Sequence, residues 1–281
     1  AVQVHGDIGM RSFSDLDILI NDKDFEKMYD KLIKIGYIPL YPIDSKTKKY
    51  LAMIGKDLTF LGNGQHLDVH WKLTERFLSV SFDMDLLWQR SDLISFNQRD
   101  IRIISQEDTV IQLCVHATKH FWGELKWLAD IIHLIKSLSN PQLLSLLRYS
   151  EKIGVKRIMY ISFILAREFG GIRYSKDIEN LIIIDQNLIN LENKIIFNFF
   201  HPYKRTLFHT PPIFFLKSRE RIGDKLKYFI YYFTDVIITP TDNDFKVMSI
   251  PEQLFPIYFL IRQVRLVKSF YFQYINKAKS N

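Results

Sequence analysis

The 281 residues are enough for one large domain or two small ones, and 47% hydrophobic with 25% charged residues is an ordinary globular composition, which excludes disordered and collagen-like chains. The net charge of +7 is uneven, because residues 1–105 carry −1 and residues 106–281 carry +8. The basic second part suits an anionic partner but does not identify it.

Cysteine content and hydrophobic stretches indicate the compartment. Cys114 is the only cysteine, so an internal disulfide framework and a cysteine-based zinc site are excluded, and a reducing compartment is favoured. The longest apolar stretches, 228–233 and 254–261, are well below the roughly 18 residues that a membrane-spanning helix needs. We therefore predict a cytoplasmic protein without a transmembrane segment.

The first part of the chain mixes strand and helix patterns. Residues 15–20 (DLDILI) alternate between polar and apolar, which is typical of a strand. Residues 24–36 follow with a helical stripe that a glycine ends. Asn63-Gly64 then stands between two apolar runs and predicts a β-hairpin over 58–73.

Helical patterns dominate after a short strand in 101–108, where Ser105 has the spacing of a helix N-cap. The predicted helices are 106–121, 122–138, 141–152, 155–169, 187–200, 219–236 and 251–275. The sequence therefore predicts an α+β domain over residues 1–105, followed by an all-helical domain over residues 106–281.

Two carboxylates are the first sign of chemistry. Asp15 and Asp17 point to the same side of the predicted strand, because side chains repeat every two residues. Like charges that close repel each other, and a divalent cation such as Mg²⁺ or Mn²⁺ relieves the repulsion. A solvated strand edge is the alternative explanation of this pair.

The second strand of the hairpin adds a third carboxylate. Asp68 and His70 share one face of 66–71, opposite three apolar residues. If this strand neighbours the first, Asp15, Asp17 and Asp68 converge and can hold two metal ions for an in-line phosphoryl displacement. Asp68 is then placed to take the proton of the attacking hydroxyl.

Three motifs in order carry a resemblance to a known family. They are GDIGMRSFSDLDILI (6–20), LDVHW (67–71) and LCVHATKHFWGELKWLADI (113–131), and residues 249–266 add a similar helical end. Together they resemble the uncharacterised bacterial nucleotidyltransferase family of the polymerase-beta-like superfamily. The resemblance covers roughly the first 135 residues.

The resemblance implies a fold and an activity. The fold is a small mixed β-sheet with flanking helices, followed by a helical domain. The activity is transfer of a nucleoside monophosphate from a nucleoside triphosphate to an acceptor hydroxyl, with release of pyrophosphate. The resemblance places the catalytic, Mg²⁺-binding (or Mn²⁺-binding) roles on Asp15, Asp17 and Asp68.

One motif of the superfamily is not found here. A Gly followed by Gly or Ser on a strand-to-helix turn, upstream of the D-x-D, cradles the triphosphate. No such pair precedes Asp15, and residues 1–4 resemble the end of the helix that follows that motif. We therefore expect the sequence to be truncated at its N-terminus, and the implied activity describes the full-length form.

Further polar residues are candidates for nucleotide or substrate binding. Arg11 either contacts phosphate or pairs with the acidic cluster, and Ser14 either touches phosphate or serves in a turn. His116 and His120 lack a third zinc ligand, so hydrogen-bonded histidines are favoured, with Asp130 as partner. The full set of candidates is Arg11, Ser14, His70, His116, Lys119, His120, Lys126 and Asp130.

The helical part leaves the acceptor open. Arg262, Arg265 and Lys268 fall on one helix face, which is either solvated or draws in an anionic acceptor. The acceptor is a small molecule, a sugar, a peptide or a nucleic acid. Two other functions stay open: a D-x-D glycosyltransferase that uses a nucleotide-sugar, and a catalytically silent, antitoxin-like module that binds a metal or nucleotide.

Overall fold

The computed structural model describes residues 6, 8–10, 15–40, 57–201, 212–248 and 250–279. The chain divides into two compact units, each built from two segments. The sheet unit combines Ser12–Ser79 with Lys227–Asn281, and the helical unit combines Ala1–Arg11 with Val80–Leu226. The residue ranges of these compact units differ from the predicted domains 1–105 and 106–281. The predicted domain boundary at residue 105 stays a prediction.

A four-stranded mixed sheet forms the centre of the sheet unit. Its strands are β1 Asp15–Leu19, β2 Ile38–Pro39, β3 Asp57–Gly62 and β4 Gln65–His70. The strand order is β1-β4-β3-β2, with β1 parallel to β4 and the other pairs antiparallel. A small mixed sheet followed by helices confirms the predicted fold class.

The turn between β3 and β4 confirms the predicted hairpin. Asn63 has φ of 51° and Gly64 has φ of 74°, so both turn residues are left-handed. A two-residue turn of this kind matches the twist of the flanking strands, and Asn-Gly is its most favourable sequence. The turn thus fixes the register in which Thr59 faces Asp68.

One buried cluster joins the sheet to segments far apart in sequence. Leu58, Phe60, Leu67 and Val69 alternate along β3 and β4 on the buried side, and helix Phe25–Lys34 packs there. Trp71 lies against Phe25, with ring centroids 4.6 Å apart. Four residues from the C-terminal segment belong to the same cluster: Phe245, Ile250, Phe255 and Tyr258. The C-terminal segment therefore completes the core of the sheet unit.

A buried ion pair holds the C-terminal segment together. Asp244 is fully buried and accepts from Arg265 Nε at 2.6 Å and from the Thr241 backbone nitrogen at 2.7 Å. Arg262 lies 3.5 Å from the same carboxylate, and its other terminal nitrogen donates to the Val236 carbonyl. Arg262 is therefore a structural residue, so the predicted solvated or acceptor-binding face at this position is wrong.

The helical unit contains most of the helices predicted from sequence. Its described α-helices include Met84–Arg90, Gln106–Lys119, Leu125–Ser137, Asn140–Lys152, Lys156–Gly170, Lys176–Leu181, Gln186–Phe200 and Pro212–Ser218. Helix Ile222–Tyr231 follows in the chain and continues into π-helical turns over Tyr232–Ile238. The C-terminal segment of the sheet unit also contains helices Asp242–Phe245 and Ile257–Lys279. Among the described helices, none is both long and apolar enough to span a bilayer.

A second hairpin lies between helices Met84–Arg90 and Gln106–Lys119. It pairs Asp92–Phe96 with Arg99–Ile103, and only its second strand is predicted from sequence. The turn residues Asn97 and Gln98 have φ of 48° and 60°. Gln is an unusual residue for a left-handed turn position, so the turn carries no clear sequence signal. The predicted helix start that follows is confirmed, since Ser105 accepts a bond from the Asp108 backbone nitrogen.

The single cysteine provides a test of packing in the helical unit. Cys114 is fully buried, and burial raises the pKa of its thiol to about 12. Only the thiolate reacts, so at about pH 8 the native chain should react with a disulfide reagent roughly 10³-fold more slowly than a thiol of ordinary pKa. Stopped-flow labelling checks this, with the chain in concentrated guanidinium as control. Rapid labelling of the native chain would contradict the packing.

Candidate active site

Polar side chains share the face of the sheet opposite the buried cluster. In the register of β1, β4 and β3, Asp17 pairs with Asp68 and Asp68 pairs with Thr59. Two residues further along β4, His70 pairs with Asp57 of β3. Because side chains alternate along each strand, the apolar residues between these positions enter the core and leave the polar ones on one surface.

Three of these side chains converge on one point. A carboxylate oxygen of Asp17, a carboxylate oxygen of Asp68 and a ring nitrogen of His70 all lie within 4.8 Å of one another. His70 Nε2 is 2.8 Å from Asp17 Oδ1, and because a carboxylate only accepts, the ring nitrogen donates. His70 Nδ1 lies 3.9 Å from Asp57 Oδ2.

The three side chains differ in how far they are exposed to solvent. The Asp17 side chain is 69% exposed, whereas His70 is 17% exposed. Asp68 is half-buried, and its Oδ1 is buried without a hydrogen-bond donor among the residues that the structure describes. A buried carboxylate oxygen in this state has lost its hydration without a replacement, at a cost of roughly 1–3 kcal/mol or more.

The donor set fits a divalent cation. Two carboxylates side by side repel each other, and the buried oxygen of Asp68 is unsatisfied within the described residues. A cation next to both carboxylates would compensate both costs, and oxygen ligands suit Mg²⁺ and Mn²⁺. Asp17 and Asp68 would hold it, with His70 beside them.

The remaining strand carboxylates occupy neighbouring positions. Asp15 is exposed on the same side of β1 as Asp17. It pairs in register with His66, two residues before the Asp17–Asp68 pair on each strand. It is not one of the three residues that converge, so its metal role stays a prediction. Asp57 is a site residue that the sequence reasoning missed. Its signal is the alternation of Asp57 with Thr59, which becomes informative once the register with β4 is known.

Other candidate residues lie elsewhere in the chain. Arg11 and Ser14 are outside the described residues, so their phosphate contacts stay predictions. In the helical unit, the rings of His116 and His120 lie 4.6 Å apart and both contact Trp127.

The other polar candidates also belong to the helical unit. Lys126 pairs with Glu124 at 2.5 Å, and Asp130 is buried in helix Leu125–Ser137. Lys119 lies at the end of helix Gln106–Lys119. The roles of these residues in substrate binding, and the predicted pairing of Asp130 with a histidine, stay predictions.

Comparison with protein families gives a match over more than half of the chain. A family model described as an uncharacterised nucleotidyltransferase covers residues 1–171 of the chain. This range contains all four strands of the mixed sheet together with Asp17, Asp68 and His70. No curated protein and no solved structure gives a significant match.

Proposed function

Because the chain belongs to this family of uncharacterised nucleotidyltransferases, we propose that it transfers a nucleoside monophosphate from a nucleoside triphosphate to an acceptor hydroxyl with the help of a divalent cation. The observation that carries the proposal is the convergence of Asp17 and Asp68, since Asp68 also has a buried carboxylate oxygen without a hydrogen-bond donor among the described residues. Asp15, on the same side of β1, is the third proposed acidic residue.

The cation, when bound, supplies positive charge that offsets the triphosphate and the charge developing on the attacking and leaving oxygens. Asp17 and Asp68 hold it from neighbouring strands, whose hydrogen-bonded register fixes the separation of their backbones. Such positioning contributes much of the rate when a phosphoryl group is transferred.

The transfer step is an in-line substitution at the α-phosphorus. The acceptor hydroxyl oxygen forms a bond to this phosphorus while the bond from phosphorus to the α–β bridging oxygen breaks, and pyrophosphate leaves. Asp68 accepts the hydroxyl proton on its carboxylate. Its half-buried position on β4 keeps the carboxylate in a fixed place beside Asp17 for this role.

Labelled nucleotides test the proposal directly. The chain is incubated with a lysate as acceptor source and with ATP, GTP, CTP or UTP, labelled at either the α- or the γ-phosphorus. We expect the α-label of at least one nucleotide to appear on an acceptor, the γ-label to appear in pyrophosphate, and a chelator to abolish both. Transfer of the γ-label to an acceptor above the level in the same lysate without the chain indicates phosphorylation instead and overturns the proposal.

Two further measurements on the purified chain, without lysate, separate the two other functions. A glycosyltransferase turns over an added nucleotide-sugar and leaves all four triphosphates intact. A catalytically silent module binds Mg²⁺ or nucleotide in calorimetry but gives no labelled product. Either result would contradict the proposed transfer.

A further inference from the structure

His70 and Asp57 form a chain of contacts that leads to Asp17. One ring nitrogen of His70 bonds to Asp17 Oδ1 at 2.8 Å, and the other faces Asp57 Oδ2 at 3.9 Å. His70 lies on β4, the middle one of three neighbouring strands. Its two carboxylate neighbours lie on the flanking strands, Asp17 on β1 and Asp57 on β3.

Asp17 and His70 differ in how firmly the fold holds their side chains. Asp17 is 69% exposed, so packing does little to select its rotamer. His70 is mostly buried, and its neighbours in sequence, Val69 and Trp71, are almost fully buried in the core. Its backbone is also paired on both sides, with Leu19 and with Asp57. A firmly held imidazole thus restrains an exposed carboxylate.

Both ring nitrogens already face carboxylate oxygens. A cation ligand needs a ring nitrogen with a lone pair directed at the metal, whereas Nε2 donates its hydrogen to Asp17. Mg²⁺ and Mn²⁺ also favour oxygen over imidazole ligands. The contacts therefore favour a role for His70 in orienting a ligand over a role as a ligand.

We propose that His70, with Asp57 behind it, is a positioning residue that holds the Asp17 carboxylate in place beside Asp68 for the divalent cation. This inference rests on the proposed function, because it assigns Asp17 and Asp68 to the cation. Groups that orient metal ligands through hydrogen bonds typically contribute about 10- to 100-fold to metal affinity. An exposed Asp17 without its histidine would lose that contribution.

Titration of the full chain with Mn²⁺, followed by electron paramagnetic resonance, tests the proposal without any nucleotide. We expect His70→Ala to weaken Mn²⁺ binding about 10- to 100-fold and Asp57→Asn to weaken it less. His70→Gln places an amide N–H within reach of Asp17 and should restore part of the affinity. His66→Ala is the matched control, because His66 is an exposed histidine on the same side of β4.

Three results would overturn the inference: unchanged Mn²⁺ affinity in His70→Ala, an equal loss in His66→Ala, or no recovery in a folded His70→Gln. Pulsed electron paramagnetic resonance on ¹⁵N-histidine protein adds a fourth. A nitrogen coupled directly to Mn²⁺ that disappears in His70→Gln would make His70 a ligand. Unfolding measured without cation shows whether each variant is folded.

This inference and the proposed function fail in distinguishable ways. His70-dependent Mn²⁺ binding without nucleotidyl transfer leaves the positioning role intact and contradicts the transfer reaction. Cation-dependent transfer that His70→Ala leaves unchanged, together with unchanged Mn²⁺ binding, contradicts only the positioning role.

Discussion

Replacing Asp68 with Asn is expected to lower nucleotidyl transfer roughly 10³-fold, because the cation that offsets phosphate charge supplies several kcal/mol and about 1.4 kcal/mol corresponds to a factor of ten in rate. The substitution keeps the size of the side chain and removes its charge and its proton-accepting capacity. Asp17→Asn should cause a comparable loss, since both carboxylates flank the same point. Initial rates of α-label transfer measure the effect.

Stability and a matched variant separate this loss from unfolding. Without cation, both variants should be at least as stable as the parent chain, because each removes one of two adjacent like charges. Asp100→Asn, an exposed strand position in the helical unit, should transfer at the parent rate. Rates within tenfold of the parent in both Asp17→Asn and Asp68→Asn would refute the assignment of the site.

Replacing Asp244 with Ala is expected to lower the free energy of unfolding by roughly 3–5 kcal/mol, the usual cost of leaving a buried ion without its partner. Asp244 is fully buried and accepts bonds from Arg265 and from Thr241, and Arg262 lies alongside. Burial lowers the pKa of the Arg262 guanidinium, and Asp244 opposes this shift. Without Asp244, the buried cation has no counter-charge in this network.

Urea unfolding of the full chain measures the effect. Asp30→Ala removes an exposed carboxylate from helix Phe25–Lys34 of the same unit and should change stability by less than about 0.5 kcal/mol. Asp244→Asn, which keeps an oxygen for the Thr241 donors, should lie between the two. A loss below about 1 kcal/mol in Asp244→Ala would show that Arg262 finds another partner.

The fold is predictable from sequence where local patterns decide it. The alternation in 15–20, the stripe in 24–36 and Asn63-Gly64 identify the strand, helix and hairpin that the structure contains. The role of the C-terminal segment is not predictable in this way. Phe255 and Tyr258 read as residues of another helix, and only tertiary packing joins them to Leu58 and Val69 in one cluster.

The site shows the same division between local and long-range information. The two-residue repeat places Asp15 with Asp17, and Asp68 with His70, on the same side of their strands. These two pairs of side chains come together only because β1 pairs in parallel with β4, a strand about fifty residues later in the sequence. That pairing sets Asp17 rather than Asp15 opposite Asp68, and β3 brings in Asp57.

The division of the sheet unit into two segments has a consequence for biosynthesis. A ribosome makes Ser12–Ser79 early, while Phe245, Ile250, Phe255 and Tyr258, which belong to the core of the same unit, are made more than 160 residues later. Domains generally fold as units during synthesis, with N-terminal domains first. Here the helical segment Val80–Leu226 emerges before the sheet unit can complete its core. The strands β1 and β4, which carry the carboxylates, therefore complete their packing only after translation has passed the residues that finish that core.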